Sequence, residues 1–148
     1  MEAIITEWLQ YFTATNLEWK KLVKPDKYKD MFIDSFRFLV GDHRIILYGF
    51  MIMINHIHLI WQMRVLIDLE AVQRDFLKYT AGKIKADLRK YHPAVLEHFY
   101  VGAKDREYQF WERNPLSIEL RRHTAFLQKL NYIHWNLVRA GICRWPEG

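Results

Sequence analysis

Hydrophobic residues fall into two rhythms along the chain. Tyr11-Phe12-Thr13-Ala14-Thr15 alternates ring, ring, hydroxyl, small and hydroxyl side chains and reads as a first strand. Pro25 suits the first position of a helix, and Tyr28, Met31, Phe32, Leu39 and Val40 follow at helical spacing up to Gly41. Between Arg44 and Arg64 lies a charge-free stretch that hydropathy alone would flag as a membrane span. Asn55, His56, His58 and Gln62 in its second half would be costly in lipid. Two buried strands, Ile45 to Met53 and His56 to Met63, joined at Ile54-Asn55, fit better. A second helix from Asp68 to Tyr91 gathers Leu69, Val72, Phe76, Leu77, Ile84 and Leu88 on one side, and Pro93 stops it. Residues 94–116 have no clean period and read as irregular or strand-like. Ser117 is the expected N-cap of a last helix running to Ala140 and ended by Gly141.

Strand, helix, strand, strand, helix, irregular region, helix is an order that suits an α+β sandwich of the ferredoxin-like type. The sheet is expected to be mainly antiparallel, with helices packed on its faces. At 148 residues the chain has the length of one domain, spanning 1–148. With 51% hydrophobic and 16% aromatic residues it can bury a sizeable core, which excludes wholesale disorder. Twenty-two basic residues against 17 acidic ones give a net charge of +5 and lean toward anionic partners, nucleic acid first. The lone Cys143 excludes a disulfide framework or a zinc knuckle. No basic segment followed by an apolar one opens the chain, so a reducing cytoplasm is the expected setting, with no membrane partner.

Three constellations carry candidate chemistry. Side chains alternate across a strand, so His56 and His58 share one face while Ile57, Leu59 and Trp61 share the other. Their Cα atoms are then roughly 6–7 Å apart, close enough for both imidazoles to reach one divalent ion; a hydrogen-bonded pair on a sheet surface is the plainer alternative. On the last helix, Phe126, Leu130, Ile133, Leu137 and Ala140 fall on one arc. Tyr132 lies off it, in a polar stripe with Arg121, Gln128, Asn136 and Arg139, and Asn136 is its neighbour one turn on. This tyrosine is either a nucleophile toward phosphate or an amphipathic residue at the core margin. On the second helix Arg74, Lys78, Lys85 and Arg89 form a basic stripe, with Asp87 fitting neither face. Lys20, Lys21, Lys24, Lys27 and Lys29 add charge earlier. Such residues either solvate a surface or contact a phosphate backbone.

In order along the chain, Tyr11-Phe12-Thr13, Met53 to Leu59, Gln109-Phe110-Trp111-Glu112 and Asn131 to Gly141 resemble the REP-associated tyrosine transposases. These are single-tyrosine members of the HUH (His-hydrophobic-His) transposases. The resemblance spans nearly the whole chain. It implies a ferredoxin-like sandwich that binds hairpin-forming single-stranded DNA, near the nucleoid, and cuts it by transesterification. His56 and His58 match the metal pair, Tyr132 the nucleophile, and Asn136 the polar side chain completing the metal site. The implied cofactor is Mg²⁺ or Mn²⁺, and the product a 5′-phosphotyrosine whose reversal rejoins strands. Arg74, Lys78, Lys85, Arg89, Arg121 and Arg139 are the expected DNA contacts. Related transposases include dimers, so a homodimer is among the expectations. The chain departs from the family pattern at Ile54 and Leu137, where proline is usual, and ends at Trp145-Pro146-Glu147-Gly148, where relatives commonly continue. These departures motivate an alternative: a cleavage-inactive or domesticated hairpin DNA-binding protein of the same lineage. A metal or small-molecule binder unrelated to DNA is a third reading.

Overall fold

The computed structural model describes residues 7–139, with side chains described through His134. In chain order the elements are β1 (Leu9–Thr15), α1 (Asp26–Gly41), β2 (Ile45–Ile52), β3 (His56–Met63), α2 (Leu69–Tyr91) and α3 (Pro93–Glu97). A small hairpin of β4 (Tyr100–Ala103) and β5 (Arg106–Tyr108), then β6 (Leu116–Leu120) and α4 (His123–Arg139), follow. The main sheet has the order β2-β3-β1-β6, with every pair antiparallel. This is the βαββαβ pattern of the ferredoxin-like fold, with α1 and α2 as its connections and α4 added after the last strand.

The stretch between Arg44 and Arg64 is apolar because β3 is covered on both sides. Ile57, Leu59, Trp61 and Met63 pack with Phe12 and Ala14 beneath α1 and α2. On the other face Ile60, Tyr11, Met51 and Leu120 meet Ile133, with Phe126 and Leu130 packed against them. Side chains such as Trp61, Phe12, Phe32 and Phe76 are essentially fully buried, each contributing roughly 1.5–3 kcal/mol. No helix among the described residues is long and apolar enough to cross a membrane.

The helices follow the same logic. Val72, Phe76, Thr80, Ile84 and Leu88 give α2 a buried stripe, and Thr80 satisfies its hydroxyl by donating to the Phe76 carbonyl at 2.9 Å. Asp87, anomalous in the sequence pattern, accepts a hydrogen bond from the Tyr28 hydroxyl and pairs with Lys27, each at 2.7 Å. It thereby ties α2 to α1. Burial raises its pKa, but the Lys27 and Tyr28 hydrogen bonds outweigh that and hold the carboxyl below its ordinary value.

Two expectations are corrected. Ser117 caps no helix: Leu116 to Leu120 pairs with β1 as an edge strand, and the Ser117 hydroxyl lies 3.1 Å from Gln10 Oε1 and accepts from Gln73 Nε2 at 3.0 Å. The alternation Leu-Ser-Ile-Glu-Leu is a strand pattern, and α4 starts only at His123. Val40, placed with the core of α1 by its spacing, is exposed. The expected end of the last helix at Ala140 and Gly141 lies outside the described residues.

Candidate active site

The polar face of β3 carries the site. His56 and His58 stand side by side, ring centres 4.9 Å apart and nearly perpendicular. Alternation puts Tyr11 and Thr13 of β1 on that same face, and the register sets Thr13 opposite His58. His58 Nδ1 lies 3.0 Å from the Tyr11 hydroxyl and 2.9 Å from that of Thr13, while the Tyr11 ring stacks on the imidazole at 5.3 Å. His56 Nδ1 is 2.8 Å from Asn55 Oδ1, so its N–H donates there and Nε2 keeps the lone pair. The turn bearing Asn55 is itself pinned, because the Asn55 and Ile54 carbonyls accept from the N–H groups of Asn16 (2.9 Å) and Val23 (2.8 Å).

Helix α4 lies over this face. It comes so near β2 that a Cβ on Gly49 would stand 3.2 Å from Leu130 Cδ1. The approach brings the Tyr132 ring to 5.9 Å from His58, edge to face. One turn earlier, Lys129 sets its Nζ 4.9 Å from the centre of the Tyr11 ring.

Burial, with lesser contributions from His56 and Lys129, lowers the His58 pKa to about 4. Burial likewise lowers that of His56. Both imidazoles are therefore neutral near pH 7, as metal ligation requires. Each Nδ1 is engaged, and neither Nε2 has a hydrogen-bond partner among the described residues. The pair thus fits a divalent cation, with the outer partners that orient ligating imidazoles already present. The described His, Cys, Asp and Glu side chains bring no third ligand to it. The two tyrosines are unlike: Tyr11 is 4% exposed, and burial pushes its phenol up to about 12, so it stays protonated. Tyr132 is 48% exposed.

No family model matches the chain, and no curated protein matches it. Among solved structures, a REP-associated tyrosine transposase bound to a REP hairpin superposes with a TM-score of 0.65 at 14% identity, over 97% of this chain and 75% of that one. The two proteins share a fold. A crystal structure from Deinococcus radiodurans, provisionally named a transposase, gives a TM-score of 0.49 at 16% identity, over 87% of this chain and 92% of that one.

On this transposase-like fold, the expected residues separate into groups. His56, His58 and Tyr132 come together. Asn136 and Arg139 lie on α4, with side chains outside the described residues. Arg121 is corrected: it precedes α4, so it shares no helical stripe with Tyr132, and it is engaged with Glu119 at 2.7 Å and over the Trp8 ring. Arg74, Lys78 and Lys85 line a cleft of about 580 Å³ with Arg106 and Arg113, on the face of the sheet covered by α1 and α2, away from the histidines. Arg89 is exposed on α2 but does not line it. Tyr11, Thr13, Asn55 and Lys129 were missed as site residues. A same-face hydroxyl pair on the strand bonded to the histidine strand was the available signal for the first two.

Proposed function

We propose that this protein nicks and joins single-stranded, hairpin-forming DNA as a transposase, with Tyr132 as the nucleophile. The observation that carries the reading is the edge-to-face approach of the half-exposed Tyr132 ring to His58, itself paired with His56. The likeness in fold to a transposase bound to a REP hairpin adds to it.

His56 and His58 would hold a divalent ion through Nε2, with Asn136 a candidate third ligand. Mg²⁺ prefers oxygen and water whereas imidazole is a softer donor, so Mn²⁺ suits the pair better. Such an ion supplies Lewis-acid polarisation of the scissile phosphate and neutralises developing charge. The protein's own groups do the rest. The Tyr132 oxygen bonds phosphorus as the P–O3′ bond breaks, giving a 5′-phosphotyrosine; the phenolic proton is lost and the departing O3′ takes one up. Reversal of the same exchange rejoins strands. Lys129, on the Tyr132 side of the site, supplies positive charge toward the phosphate, and Tyr11 and Thr13 fix the His58 ring.

The test is Tyr132→Phe, incubated with hairpin oligodeoxynucleotides and Mn²⁺ and run on a denaturing gel. The native protein should form an adduct that survives denaturation, and the variant should bind the same DNA without forming one. An adduct in the variant refutes the nucleophile. A native protein that binds hairpins yet never forms an adduct leaves the binding-only alternative.

A further inference from the structure

Trp19 is 62% exposed and belongs to neither core cluster. Among the described residues, nothing in the packing accounts for so large an apolar side chain there. Its ring stands 6.1 Å from His56 at a steep angle. The backbone beneath it is strained, since Glu18 and Trp19 have φ of 53° and 58°, the left-handed region that non-glycine residues rarely occupy. Three hydrogen bonds hold it so. The Glu18 N–H donates to the Glu112 carboxylate at 2.6 Å, the Trp19 N–H to the Asn16 carbonyl at 2.9 Å, and Asn55 Nδ2 to the Trp19 carbonyl at 3.4 Å. Glu112 is itself anchored, its N–H donating to the Thr15 carbonyl at 2.8 Å. Strain held from several directions concentrates where a site needs it. Asn55 links the two features, because its Oδ1 accepts from His56 Nδ1 while its Nδ2 holds Trp19.

We infer that Trp19 is a stacking platform for an unpaired nucleobase next to the phosphate at His56, His58 and Tyr132. The inference rests on the proposed nicking function and adds a substrate subsite to it. An indole face beside a phosphate-handling centre offers what an unstacked base lacks. Every base has a π-face, so the platform tolerates sequence but selects single strand over duplex. This gives the protein a way to choose the unpaired flank of a hairpin over its stem.

The probes are a single-stranded oligodeoxythymidine and an oligomer of the same length whose sugar-phosphate backbone is abasic throughout. Affinities are read by fluorescence anisotropy in a Tyr132→Phe background, so that no strand is cut. Trp19→Ala should bind the thymidine oligomer about tenfold more weakly and the abasic one as tightly as the parent. Trp19→Tyr should restore most of the loss, and Trp19→Leu, apolar but without a π-face, should not. Equal losses on both probes, or a Leu variant that binds like the parent, would overturn the platform and leave Trp19 a structural residue. Adduct formation is scored separately in protein retaining Tyr132. Its absence sinks the nicking reading and leaves the stacking result standing, while loss of the base-dependent difference sinks only the platform.

Discussion

His58 is wedged between the stacked ring of Tyr11 and the upright imidazole of His56, and it takes no proton at ordinary pH. That refusal has a sign. Above pH about 6.5 the residue is neutral whether the chain is folded or not, and contributes no pH dependence. As pH falls from there toward about 4, the unfolded chain takes up a proton that the folded one excludes, so stability drops. His56 acts in the same direction. Urea unfolding of the metal-free protein between pH 7 and 4.5 should show this slope, with a full loss for His58 on the order of 3 kcal/mol. His58→Asn, which keeps a polar atom near the Nδ1 position, should flatten it. An unchanged slope would place the acid sensitivity elsewhere.

Among the elements, α4 brings Tyr132 over the histidine face, and its start is the hardest boundary to read from the sequence. Its apolar arc was legible: Ile133 is buried, and Phe126 and Leu130 pack beside it. Its start was not, because Ser117 offers a capping side chain while the strand pattern around it is only five residues long. Pairing with β1 decides that segment, and pairing is invisible from one stretch of sequence. The β2–β3 hairpin was readable for the opposite reason. Its turn chemistry and its long apolar run are local, and the Met53 N–H does close on the His56 carbonyl at 2.8 Å. His-x-His was readable too, because alternation alone puts both rings on one face. Tyr11 and Thr13 were not, since their role depends on which strand lies next to them. Gly49 tests the placement of α4. A valine there crowds Leu130, whose side chain must give way beneath α4; overpacking of this kind typically costs about 1–3 kcal/mol. Gly49→Val should slow adduct formation while Mn²⁺ affinity, measured by calorimetry, stays near that of the native protein. Equal loss of both would mean that the whole sheet, rather than the helix alone, had been disturbed.

At the level of the whole molecule, the candidate site and the basic cleft lie on different sides of the sheet. The candidate site faces α4, and the cleft of Arg74, Lys78, Lys85, Arg106 and Arg113 lies against α2. Lys78 and Arg113 make no ion pair with any described residue, and a Cβ on Gly82 in the same cleft would meet nothing within 4 Å. Removing both charges with Lys78→Gln and Arg113→Gln should weaken all single-stranded DNA alike. It should also flatten the plot of log affinity against log salt by about 1.4, about 0.7 for each lost phosphate contact. A slope equal to the native one would return the cleft to ordinary solvated surface.

The division of the site between β3 and α4 also sets the order in which it comes into being. His56 and His58 sit in a hairpin whose partners are close in sequence, whereas Tyr132 arrives on the helix that follows the last strand. Domains emerge from the ribosome N-terminus first, so the pair exists in the growing chain before the tyrosine does. If Tyr132 is the nucleophile proposed above, a chain still being made carries the histidine pair but no tyrosine to cut with. Under that reading, making the last helix is the step that arms the protein.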